Sequence, residues 1–405
     1  MIKSVKLKNW KSYEEGILYI DSLMILIGTN SSGKSNAIDA LVFLSRIANG
    51  VGIFQAISGD INLGSLRGGT EWVCRQGMNT FTLEAVLEYA GNDYEYSIAV
   101  EIEDARALIT EEKLTICGGN QRLFYTNLRD KELLNIPTYF TTERQGKGQH
   151  FELSRNTSIL YQSKILQLKK KEITDITTDL AKQLSGIFVL DPIPNHMRGY
   201  SSLSEKLSSD GSNIAGVLAA LDDERRENIQ RKLTSYLKKI PERDIAHIWT
   251  ERVGKFHTDA MLYCEEAWQG DDKCIVDARG MSDGTLRFLA IMVALLTNEP
   301  NKLIVVEEVD NGLHPSRVNV LLNMLKELGD EKNIDVLITT HNPALLDAAG
   351  TVMIPFITVA HRDERGQSHL KLLEDVQELP KMISTGNIGE LVTNGKIESA
   401  LAREG

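Results

Sequence analysis

The sequence predicts an α/β fold: a mixed β sheet around a glycine loop, a β-rich N-terminal lobe and a compact helical insertion. Three observations predict it. Leu23–Ile27 (LMILI) is a continuous apolar run, as expected of a strand buried on both faces of a sheet. It ends at Gly28, and a helical pattern (Ile38, Leu41, Val42, Leu44) begins after Lys34. Far downstream a second apolar strand, Leu303–Val306, opens a further run of alternating helix and strand patterns.

The elements follow in order. Residues 1–27 read as strands, with Ile2, Val5 and Leu7 alternating with polar residues before Gly16–Ile20 and Leu23–Ile27. Residues 50–162 are β-rich. Thr80–Glu88 and Tyr94–Ile102 alternate and are joined through Ala90–Asp93, which reads as a hairpin. Residues 163–245 are mostly helical and highly charged, with Lys169–Lys171 and the stretch Arg225–Arg243, and Asp191–Pro194 breaks them. No sustained apolar heptads occur, so no long coiled coil is expected. Strands return over 246–280, followed by a helix at about 284–297 and the strand Leu303–Val306. A helix at about 315–328, the strand Val336–Thr339, a helix from Pro343 and short strands Phe356–Ala360 and His369–Leu373 complete the chain. The expected division is an N-lobe over 1–162, a helical insertion over 163–245 and a C-lobe over 246–405.

Composition bounds the function. The formal net charge of −11 argues against a protein that coats nucleic acid, so any such contact is local or made by a partner. No run reaches the ~18 apolar residues of a membrane span, and the first ten residues lack the apolar stretch of a signal peptide. A cytoplasmic protein without membrane contact is the expectation. Cys74, Cys117, Cys264 and Cys274 are scattered, which argues against a zinc site or a disulfide framework.

Gly28-Thr-Asn30-Ser31-Ser32-Gly33-Lys34-Ser35 fits G-x-x-x-x-G-K-[ST], with the required strand before and helix after. Gly28 and Gly33 permit the backbone angles that close a loop around a phosphate chain. The loop N–H groups from Asn30 to Asn36, together with the positive end of the helix, suit an anion. Lys34 would reach the β- and γ-phosphates and the Ser35 hydroxyl would ligate Mg²⁺, which makes ATP and Mg²⁺ the expected cofactors. Leu303–Val306 then ends in two carboxylates, Glu307 and Glu308. Ligand chemistry in open α/β sheets sits at the carboxyl ends of strands. Glu307 is assigned to the Mg²⁺ shell and Glu308 to polarising the attacking water.

Four further segments carry a family resemblance. Met281-Ser282-Asp283-Gly284-Thr285 resembles the signature loop of ABC ATPases, in the form seen in the RecF, SMC and OLD-like branch. Asp310-Asn311-Gly312-Leu313-His314-Pro315 resembles that branch's D-loop, and Thr339-Thr340-His341-Asn342-Pro343 its switch-histidine loop. Leu7–Tyr13 resembles its opening. The resemblance implies an ABC-ATPase head and a homodimer, or higher oligomer, that sandwiches two ATPs. It implies that Ser282 and Gly284 touch the γ-phosphate bound by the other subunit, with Asp310 also at the nucleotide. His341 would contact the γ-phosphate in its own chain, and Lys11 would approach the phosphates. A glutamine usually senses the metal; Gln162 is assigned to that role, with Gln167 in competition. Two departures stand out: Asp283 replaces a common glycine, and Glu307 replaces a commoner aspartate.

Without long coiled coils or room for a Toprim domain after His341, the chain resembles a stand-alone OLD-like ATPase. The tail Gly386–Gly395 resembles the ends of two-gene ATPases of this kind. The resemblance implies a sensor or regulatory subunit of a bacterial anti-phage system, encoded beside an effector such as a nuclease. Two alternatives stand beside it: a RecF-like DNA-repair ATPase, and a scaffold that binds ATP with little turnover. The basic residues Lys169–Lys171, Arg225, Arg226, Arg231, Lys232, Lys238 and Lys239 are the obvious material for nucleic acid.

Overall fold

The computed structural model describes residues 1–103, 106–119, 121–141, 148–240, 245–266, 274–384 and 386–404. Arg243 and the end of the expected helical insertion, 241–244, lie outside the described residues. Among those described, three sheets carry the chain.

The first sheet is antiparallel. Its strands are β1 (Ile2–Trp10), β2 (Tyr13–Tyr19), β4 (Thr80–Tyr89), β5 (Asn92–Glu103), β6 (Arg106–Ile116), β7 (Arg122–Thr126), β8 (Asn135–Phe140) and β9 (Gln149–Ser154). They lie in the order β2-β1-β4-β5-β6-β7-β8-β9. The expected hairpin is β4–β5, and its strands run up to a tight turn. Ala90 and Gly91 both have positive φ, 51° and 77°, the geometry that matches the right-handed twist of two paired strands. Trp10 packs against Phe81 and Phe43 with ring centroids 4.8 and 5.8 Å away, tying this sheet to the helix Lys34–Ala48.

The second sheet is mixed and holds the core. β3 (Leu23–Ile27), β10 (Phe188–Leu190), β15 (Leu303–Val306), β16 (Asp335–Thr339), β17 (Ile357–Arg362) and β18 (Ser368–Leu372) lie in the order β10-β15-β16-β3-β17-β18. All run parallel except β18. Every residue of β3 is buried: Leu23, Ile25 and Ile27 enter one core, and Met24 and Leu26 enter the other. β15 alternates in the same way. The helices Asp283–Thr297 and Val318–Lys332 cover one face, and Lys34–Ala48 and Lys171–Ser185 the other. Helices on both faces are why these strands read as unbroken apolar runs.

In the third sheet β13 (Asp259–Glu266) pairs with β12 (Ile245–Val253), β11 (Ser201–Ser202) and β14 (Cys274–Asp277). The segment expected as a helical insertion contains the helices Lys171–Ser185, Ile214–Ala220 and Asp223–Leu237. It also contributes β10, which pairs with the acidic strand, Leu190 opposite Val306. Three residues are too few for a period to register in sequence.

Most of the basic residues of this segment have partners. Arg226 pairs with Asp223, Lys232 with Glu331 and Lys239 with Glu327, while Arg225 donates to the Thr297 carbonyl. Among the described residues no helix is long and apolar enough to cross a membrane.

Candidate nucleotide site

The loop between β3 and the helix Lys34–Ala48 is shaped by two glycines. Gly28 has φ +145°, and a Cβ there would sit 2.2 Å from the Ala360 carbonyl oxygen of β17. Gly33 has φ +117°, and a Cβ would meet the Ser368 and Tyr13 hydroxyls at 2.6 and 2.7 Å. Side chains at these positions are excluded by both backbone angle and space. The helix begins at Lys34, directly after Gly33.

Lys34 folds back into the loop, and its Nζ donates to the carbonyls of Gly28 at 2.9 Å and Thr29 at 3.0 Å. Burial pushes its pKa down to about 8, against the pull of Glu308. The Ser32 hydroxyl is buried without a hydrogen-bond partner among the described residues. A buried orphan hydroxyl and an ammonium bound only to neutral carbonyls both suit an incoming phosphate.

A cavity of about 330 Å³ opens over this loop. The loop from Asn30 to Asn36 forms its floor, and Glu307, Glu308, Thr339, His341 and Arg362 line the rest. The parallel order β15-β16-β3 explains the meeting: the carboxyl ends of three adjacent strands open onto one cleft.

Glu307 sits at the end of β15, where its N–H donates to the Leu190 carbonyl at 3.0 Å. Its carboxylate accepts from Arg67 Nη2 at 2.7 and 3.0 Å. Burial raises its pKa, and Arg67 opposes that shift. Glu308 adopts φ +46°, a conformation that costs energy in a non-glycine residue. Its N–H donates to the Thr339 hydroxyl at 2.8 Å, and its carboxylate accepts from Asn311 Nδ2 at 3.0 Å. His341 follows β16. Asn342 next to it caps the helix Pro343–Ala349 by accepting from the Ala344 N–H at 2.9 Å. Burial, then the charge of Lys34, lowers the His341 pKa, so the imidazole is neutral near pH 7.

Other expected site residues lie elsewhere. Ser282 caps the helix Asp283–Thr297, its hydroxyl accepting from the Thr285 N–H at 3.2 Å. It is exposed and does not line the cavity. Gly284 abuts the Asp310–Leu313 turn, where a Cβ would come 2.8 Å from the Gly312 carbonyl oxygen. Asp310 is buried in that turn, and its charge acts on His341. Lys11 lines an adjoining cavity of about 470 Å³ with Ser12, Arg67, Trp72 and Arg362, and its ammonium is committed to Asp39.

Gln162 lies outside the cleft. Its amide is consumed locally, donating to the Ser154 and Thr157 carbonyls at 2.9 and 2.7 Å and accepting from the Ser154 N–H at 3.2 Å. Neither Gln162 nor Gln167 lines the cavity. The family order pointed to a glutamine near this place in the chain, but this side chain is held by its own loop outside the cavity.

Sequence reasoning missed Arg67, Asp39, Arg362 and Asp191. Asp191 follows β10 at the strand end beside Glu307. Burial raises its pKa, while Arg287 and Arg67 pull it down and Glu308 pushes it up. An acid closing the run Phe188-Val-Leu190 was the available signal for it, the same pattern that flagged Glu307.

Comparison with known proteins agrees with this geometry. A Helicobacter pylori (strain ATCC 700392 / 26695) protein described as "ATP/GTP phosphatase" is 23% identical over 375 residues, 87% of this chain and 88% of the relative. The crystal structure of an Smc head bound to the C-winged helix domain of ScpA superposes with a TM-score of 0.54 at 14% identity. That match covers 91% of this chain and 97% of the other. The expected ABC-type head is therefore the fold of this chain. The family model described as "AAA domain, putative AbiEii toxin, Type IV TA system" matches residues 23–168 and 201–347. Those segments hold the phosphate loop, the acidic strand end and His341, so the chain belongs to that family and is an ATPase.

Proposed function

We propose that this ATPase works as a dimer closed around two ATP molecules. We further propose that it is the sensor and regulatory subunit of a bacterial anti-phage complex whose effector, such as a nuclease, is a separate protein. The observation that carries the dimer is the division of the site. Lys34, Glu307, Glu308 and His341 share one cleft, while Ser282 and Gly284 lie outside it at a helix start where Ser282 is exposed and Gly284 is buried behind it. A γ-phosphate in the cleft would gain those groups from a second copy.

The residues fit Mg-ATP. Loop amides, Lys34 and the orphan Ser32 hydroxyl suit the triphosphate. Ser35 and Glu307 would hold Mg²⁺, which when bound neutralises charge on the phosphate oxygens. Glu308, already strained and oriented by Asn311, takes the proton of the attacking water. His341 offers a neutral N–H to the γ-phosphate. Two copies that share each γ-phosphate favour the closed state while ATP is intact, and hydrolysis releases them.

The effector reading rests on the OLD-like resemblance, and a family description that includes a Type IV TA system fits a chain working with a second protein. The ion pairs on Asp223–Leu237 weigh against a DNA-binding face there.

Light scattering on a Glu308→Gln variant tests the dimer. With Mg-ATP, but not with ADP, the variant should double its mass. A variant that binds ATP and stays single would end the proposal. Purification of the native complex, with mass spectrometry of what accompanies the chain, tests the effector.

A further inference from the structure

Ser282 owes its position to a residue that none of the motifs contains. Arg198 closes the short helix Pro194–Met197, and its guanidinium reaches under the loop that leads into the helix Asp283–Thr297. Nη1 donates to the carbonyls of Ala278, Arg279 and Met281 at 3.1, 3.0 and 2.7 Å. Nη2 donates to the Asp283 carboxylate at 2.5 Å. One side chain therefore grips the main chain just before Ser282 and the residue just after it. Met197 and Met281 are both buried in the same core, which fixes the two ends of the grip. A planar guanidinium with five donors can serve several acceptors at once; a lysine ammonium, a single point of charge on a flexible stem, cannot reproduce that fork.

The segment that carries Arg198 starts at the nucleotide cleft. Asp191, at its beginning, feels the charges of Glu308 and Arg67 and of Arg287 on the helix Asp283–Thr297. The segment 191–198 thus joins the acidic end of the cleft to the loop before Ser282.

We propose that Arg198 is a positioning residue: it sets the main chain of 278–283 so that Ser282 and Gly284 face the nucleotide of a second copy. It acts on the partner's turnover rather than on nucleotide binding by its own chain. The inference rests on the dimer reading above.

Arg198→Ala should leave ATP binding to the single chain unchanged and lower kcat about 100-fold, the scale seen when a remote change misplaces a site by about 1 Å. Arg198→Lys should not restore it. The decisive readout mixes variants. Arg198→Ala chains alone should keep only that residual turnover, and Glu308→Gln chains alone should be inactive. In a mixed dimer, the intact base of the first faces the intact signature loop of the second, so turnover should return. Arg198→Ala mixed with the double variant should stay at the residual level. If Arg198→Ala does not fold, Arg198→Lys takes its place in the same mixtures. No gain in the first mixture, or full activity of Arg198→Ala alone, overturns the assignment. If Glu308→Gln itself forms no ATP-dependent dimer, the dimer reading fails instead, and the two failures are told apart.

Discussion

Lys34 should make nucleotide binding depend on pH in a calculable way. Its ammonium donates to the carbonyls of Gly28 and Thr29, and burial lowers its pKa from 10.5 to about 8. A bound triphosphate places negative charge against the ammonium and raises that pKa again. Binding above pH 8 must therefore take up a proton, and affinity must fall as pH rises through that value. With a pKa of about 8, some nine-tenths of Lys34 is charged at pH 7 and about one-tenth at pH 9, so affinity should drop about tenfold between them, or about 1.4 kcal/mol. Titration of a fluorescent ATP analogue across pH 7 to 9.5 measures this. Lys34→Arg keeps its charge over the whole range and should show no such slope, whatever its absolute affinity. A flat wild-type profile, or an equally steep one for Lys34→Arg, would refute the reasoning.

Two further predictions concern single contacts. Arg67 occupies both oxygens of Glu307, so a metal must compete with it. The Arg67 side chain is 49% exposed, which limits the pair to about 1 kcal/mol. Arg67→Gln should therefore lower the Mg²⁺ needed for half-maximal turnover by about fivefold or less, and an increased requirement would count against the arrangement. Gly28→Ala places a Cβ against the Ala360 carbonyl at a backbone angle alanine avoids. It should destabilise the fold by about 3 kcal/mol, read as a lower denaturation midpoint, and unchanged stability would be the contrary result.

The sequence yields its local physics readily. Leu23–Ile27 and Leu303–Val306 are unbroken apolar runs because both faces of their sheet are covered, and the glycine loop is legible because only glycine tolerates those angles. Groups that reach the site from afar were not legible. Arg67 meets Glu307 across 240 residues, and Arg198 meets Asp283 across 85. No periodicity or spacing encodes such meetings; the strand order creates them. β10 escaped because a three-residue strand has no pattern, and with it went Asp191. Gln162 stands apart from the cleft for a different reason. It was assigned by family order, and order along the chain does not say whether a side chain is spent on its neighbours.

The structure of Glu308→Gln with ATP and Mg²⁺ asks the central question most directly. The terminal phosphate should lie within hydrogen-bond reach of Lys34 Nζ and of Ser282 of the partner subunit, with Glu307 freed from Arg67 and turned to the metal. Nucleotide bound away from the loop Gly28–Ser35, or a γ-phosphate met by one chain alone, would contradict it.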